Sequence, residues 1–168
     1  MSRGAVRLRN TRRHVSHQQL SAEIIARSVA TKWHPARLKW ALETVYFTDE
    51  PETCLCSHFP IIELCVLRNF KNGGEAGVGN HCVKKFMGLA SDKIFVALKR
   101  IQRDDEAALN TEAIEYAHRR KWINDWERGF YLDTWRKRGL SGRQMEVLVE
   151  INRKVLAAVA RDKRHAAR

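Results

Sequence analysis

No run of apolar residues in this chain approaches the roughly 20 that a membrane-spanning helix needs. The opening, Met1-Ser-Arg-Gly-Ala-Val-Arg-Leu-Arg, is basic but lacks the apolar stretch of a secretory signal. No carboxylate occurs before Glu23, and neither internal repeats nor low-complexity tracts are present. These absences argue against a membrane protein, a secreted protein and a repeat architecture. They predict a cytoplasmic chain, where thiols stay reduced and clustered cysteines serve more often as metal ligands than as disulfides.

What is present suits one compact domain or two small lobes. The chain has 168 residues, 44% of them hydrophobic, enough for a packed core. Its formal net charge is +12, and the excess is concentrated at the two ends. Arg3, Arg7, Arg9, Arg12 and Arg13 precede the first acidic residue, while Arg161, Lys163, Arg164 and Arg168 close the chain around Asp162. Such charge attracts polyanions through counterion release and carries no information about fold. Nucleic acid is the expected partner, and an acidic host protein is the alternative.

The pattern of residues predicts a basic flexible arm over 1–17, a zinc-binding hairpin lobe over 18–90, a helical region over 91–161 and a basic tail over 162–168. A short helix is expected over Gln18–Arg27, with Leu20, Ile24 and Ile25 at helical spacing. Leu42, Val45, Tyr46 and Phe47 read as a strand or a helix end leading into a loop over 48–53. Ile61–Phe70 reads as a buried strand, followed by an Asn72-Gly73 turn and a return strand over Glu75–Val78. A short helix then opens at Cys82.

The second half reads as helical throughout. Ser91 or Asp92 is a candidate cap for a helix burying Ile94, Ala97, Leu98 and Ile101. Asn110 and Asn124 start two further helices, and Gly139 is expected to end the second in a left-handed conformation. Trp122, Trp126, Phe130, Tyr131 and Trp135 are spaced mostly by four and read mainly as core. Ser141 and Gln144 form a capping box before a helix whose stripe is Leu148, Ile151, Val155 and Val159.

All four cysteines fall between positions 54 and 82. Cys54-Leu-Cys56-Ser-His58 supplies two sulfurs from one turn, a hairpin carries the chain away and back, and Cys82 follows in a first helical turn. Zinc takes about four such ligands in a tetrahedron. A ligand loop, a hairpin and a ligand at a helix start follow the logic of a treble clef. The expected set is Cys54, Cys56, Cys82 and a fourth ligand, ranked His58 before Cys65 before His81. Cys65, between Leu64 and Val66, also reads as a small buried core residue. Lys84 and Lys85 follow Cys82 closely enough to face phosphates from the same turn. The fold class is α+β: a treble-clef-like, zinc-held β-hairpin and short helix with a helical C-terminal half.

The segment from Cys54 to Phe86 resembles a pattern in largely uncharacterised small bacterial, bacteriophage and viral zinc-binding proteins. That pattern runs Cys-x-Cys-Gly-His, an apolar strand ending in Asn, a Thr-Gly or Asn-Gly turn, then Val-Gly-x-x-Cys-Val-x-x-Phe. Cys54, Cys56, His58, Asn69, Gly73, Gly79, Cys82 and Phe86 match it, and Ser57 stands where glycine is usual. The segment Trp126–Gln144 is similar to a Leu-Ser-x-x-Gln stretch that often accompanies it. The resemblance implies a zinc-binding domain of mobile-element type and implies no reaction.

Catalytic patterns find little support. Gly73-Gly-Glu-Ala-Gly-Val-Gly lacks the Lys-Ser/Thr of a phosphate loop. A cysteine nucleophile would compete with the metal for the same sulfurs. Asp104-Asp-Glu106 reads as a solvated cap rather than a magnesium site, and His14-x-x-His17 lies in the basic arm. A metal-dependent nuclease ranks third, since no His-Asn-His set is present. The function expected from the residues is therefore non-catalytic DNA or RNA binding.

Overall fold

The computed structural model describes residues 17–166; the predicted arginine contacts at Arg3, Arg7, Arg9, Arg12 and Arg13, and His14, lie outside them. The fold is α+β, with two compact units dividing between Leu89 and Ala90.

The first unit begins with α1 over residues 17–26, which buries Leu20 and Ile24 completely. A one-turn helix α2 (Trp33–Arg37) follows. The strands β1 (Trp40–Glu52), β2 (Ile61–Asn69) and β3 (Glu75–Gly79) then form an antiparallel sheet with β2 in the centre. Residues directly opposite on antiparallel strands share a face. Val45, Cys65 and Val78 stand opposite one another across the sheet, all fully buried. This row gives Cys65 the packing role of a small hydrophobe. The stretch 48–52, expected to be loop, instead belongs to β1 and ends with Glu52 opposite Ile61. Its register slips between Phe47 and Glu52, an irregularity that the alternation of residue types does not announce.

The hairpin turn between β2 and β3 is built on Asn69. Its buried side chain accepts the amide of Lys71 at 2.9 Å, and its backbone exchanges 2.8 Å bonds with Gly73 and Gly74. Gly73 takes φ +74, a conformation that glycine adopts without steric cost. Phe70, expected as the end of a buried strand, lies in this turn and is 60% exposed. After β3 the chain enters α3 (Asn80–Cys82), widens into a π-helical turn over Val83–Met87 and stops at the left-handed Gly88.

The second unit holds four helices: α4 (Ser91–Arg103), α5 (Thr111–Arg119), α6 (Asp125–Thr134) and α7 (Gly142–Ala166). Asn110 caps α5 through the amide of Ala113, and Asn124 forms a reciprocal capping box with Glu127 on α6. Ser141 and Gln144 do the same for α7, at 3.0 and 3.3 Å. The predicted stripe Leu148, Ile151, Val155 and Val159 is buried. Three expectations fail here. The N-cap of α4 is Ala90, without a side-chain bond, because Ser91 is already helical and buried. The end of α6 comes at Thr134 with a right-handed Trp135, so Gly139 takes no part in it. Trp126 is 64% exposed and stacks on Phe130, while of the five aromatics expected in the core Trp122 and Tyr131 are buried.

A buried polar hub ties this unit together. The Asn152 amide donates to the carbonyls of Asp105 and Ala107 at 2.7 and 2.8 Å. The Tyr131 hydroxyl donates to the Asn152 carbonyl oxygen and accepts the amide of Leu109. Burial pushes the Tyr131 phenol up to about 12, against the pull of these bonds. No described helix is long and apolar enough to cross a membrane.

Candidate metal centre

Cys54 and Cys56 sit in the loop that joins β1 to β2, and Cys82 ends α3. The loop is drawn tight by two backbone bonds, Cys54 N–H to the His58 carbonyl at 2.9 Å and Ser57 N–H to the Cys54 carbonyl at 2.7 Å. This curl turns both sulfurs of the Cys-x-Cys pair inward. Ser57 takes φ +66 within it, a left-handed conformation that favours glycine.

The three sulfurs lie within 4.8 Å of one another, and those of Cys56 and Cys82 are 3.4 Å apart. A tetrahedral ion with metal–sulfur bonds of about 2.3 Å has sulfur–sulfur edges of about 3.8 Å, so the triangle has the size that such an ion needs. All three residues are buried, at 3, 4 and 6% exposure, and no cysteine of the chain is in a disulfide. The three cysteines are placed to hold a metal ion.

Their electrostatics suit the task. The Cys54 thiol is pulled down to about 5, first by the hydrogen bond from Cys82, with burial opposing and the backbone amides of Cys56 and Gly79 assisting. Cys82 moves up, chiefly because it is the donor to Cys54, and burial adds to this. Cys56 moves up mainly through burial. One sulfur is therefore a ready thiolate, and a metal that binds all three displaces the protons of the other two.

Gly79, the last residue of β3, completes the wall. Its amide donates to Cys54 Sγ at 3.2 Å. A Cβ there would lie 3.1 Å from Ile61 Cγ2, so that Ile61 would have to give by a few tenths of an ångström, and in ordinary contact with Cys54 Sγ at 3.6 Å.

The three candidates for a fourth ligand are placed differently. His58 is exposed on the same loop, and His81 is exposed beside Cys82. Cys65 is enclosed in the sheet row with Val45 and Val78. The three-sulfur group contains none of them. Phe86 is half-buried, with its ring against His17 and the Lys85 ammonium 4.8 Å from its centroid. Lys84 and Lys85 are both exposed, in the π-helical turn.

No protein-family model, curated protein or solved structure matches this chain.

Proposed function

We propose that this protein is a non-catalytic, zinc-dependent nucleic-acid-binding protein of mobile-element type. The observation that carries the reading is the buried sulfur triangle of Cys54, Cys56 and Cys82. Three sulfurs of tetrahedral spacing suit zinc, and their burial leaves little approach for a substrate, which favours a structural role over a catalytic one. His58 is the proposed fourth ligand, because it is exposed on the loop that carries Cys54 and Cys56 and its carbonyl holds the Cys54 amide, whereas Cys65 is enclosed in the sheet core. Ligand loop, β2–β3 hairpin and the helix bearing Cys82 then make a treble-clef-like unit.

The nucleic-acid half rests on the formal net charge of +12 and on exposed cations such as Lys84 and Lys85. Contacts of this kind go to phosphates and read no sequence, so weak sequence preference is expected. A gel-shift titration of the zinc-loaded chain tests it. Retarded species that fade steeply with salt support the proposal. No retarded species at tens of micromolar protein, roughly the weak end of non-specific affinity, sinks it. Strand cleavage that needs metal would instead make the protein a nuclease.

A further inference from the structure

The hairpin turn presents an arrangement that neither the metal centre nor the core uses. Phe70, in the turn, is 60% exposed. The ammonium of Lys39 lies 5.9 Å from its ring centroid and that of Lys71 lies 5.8 Å from it. Neither ammonium is in an ion pair among the described residues.

The support beneath this ring is rigid. The Phe70 amide donates to the Lys39 carbonyl at 3.0 Å, which ties the turn to the start of β1. Asn69 beside it is fully buried and organises the turn, while Asn72 donates to the Arg27 carbonyl at 3.0 Å and anchors the far side to the end of α1. The backbone that carries Phe70 and Lys71 is therefore fixed on both flanks. The exposed ring is a built feature and not the free end of a mobile loop.

From this geometry, and resting on the nucleic-acid reading above, we propose that Phe70, Lys39 and Lys71 form a stacking platform for an unpaired base of single-stranded nucleic acid. The two ammonium groups lie over the exposed ring, and a base that displaces these flexible side chains stacks on its π-face while the lysines turn to the phosphates on either side. Bases inside a duplex are already stacked and cannot reach the ring. The platform thus gives the protein a preference for single strands over duplexes, without sequence readout.

The test uses the full zinc-loaded chain and a labelled single strand of roughly 20 nucleotides, longer than the sites such platforms occupy, beside the duplex of the same sequence. Phe70→Ala weakens single-strand binding roughly 5- to 100-fold and leaves the salt slope and duplex binding unchanged. Phe70→Tyr keeps the ring and the affinity. Lys39→Ala with Lys71→Ala lowers the single-strand salt slope by about 1.4. Should Phe70→Ala lose its circular dichroism spectrum, Lys71→Glu, at an exposed side chain, carries the test and weakens single-strand binding. Wild-type binding that Phe70→Ala and Lys71→Glu leave intact overturns the platform while nucleic-acid binding stands. A wild-type chain that retains poly-glutamate but neither oligonucleotide overturns both, in favour of an acidic protein partner.

Discussion

The backbone amide of Gly79 donates to the sulfur of Cys54 at 3.2 Å, joining the last residue of β3 to the first cysteine of the Cys-x-Cys loop. An amide aimed at a thiolate stabilises its charge, and here it also sets the distance between strand and loop. Gly79→Ala forces Ile61 aside or pushes β3 away from the sulfur. The expected cost is about 1 kcal/mol in stability, with weaker metal affinity. A competition titration against a chromophoric chelator checks this, and unchanged affinity would refute the role given to Gly79.

Cys56→Ser should remove the metal, since two sulfurs hold the ion far less tightly than three. Metal analysis of the wild-type chain should find one equivalent of zinc. All four cysteines lie between 54 and 82, so the helical second unit has none. Chelation should therefore erode the strand signal in circular dichroism while most of the helical signal persists. Simultaneous loss of both would contradict the separation.

Ser57→Gly should stabilise the chain. Relief of the left-handed backbone at φ +66 is worth about 1 kcal/mol. Against it stands the loss of an exposed hydrogen bond from Gln19 to Ser57 Oγ, at 2.6 Å, and the added freedom of an unfolded glycine. The net expectation is a gain of about 0.5 kcal/mol, read from chemical denaturation of the metal-loaded protein. A loss of stability would show that the hydroxyl contact outweighs the strain.

Much of the metal centre was legible because its cues are local. Cys-x-Cys needs a turn to place two sulfurs, and a distant third cysteine at a helix start completes the set. The Asn72-Gly73 turn and the Ser141–Gln144 box are likewise decided within four residues. What escaped depends on partners far along the chain. Asn152 becomes a hub through carbonyls 47 and 45 residues away, which no periodicity encodes. Phe70 and Trp126 look like core by type, and their exposure follows from where the sheet and α6 end. The extension of β1 to Glu52 escaped because Pro51 and the acidic residues around it read as loop.

Acid should weaken the second unit through Asp162. Burial would raise its carboxyl, yet bonds from Arg120 at 2.9 Å and the Trp122 indole at 3.1 Å outweigh it and hold the group below the ordinary value. A carboxylate depressed in the folded state contributes stability above its unfolded pKa and loses it as pH falls through the folded one. The stability difference between wild type and Asp162→Asn should be full above about pH 5 and shrink below about pH 4. A difference that stays constant to lower pH would mean that the carboxylate charge is not what matters.

The spacing of the sulfurs also imposes an order of assembly. Cys54 and Cys56 leave the ribosome almost together, while Cys82 comes 26 residues after Cys56. At synthesis rates of roughly 5–20 residues per second, the nascent chain carries two ligands without the third for a second or more. Both hairpin strands emerge within that interval. Both strands are therefore available to pair before the third sulfur exists, so an ion held by all three sulfurs would close on strands already made.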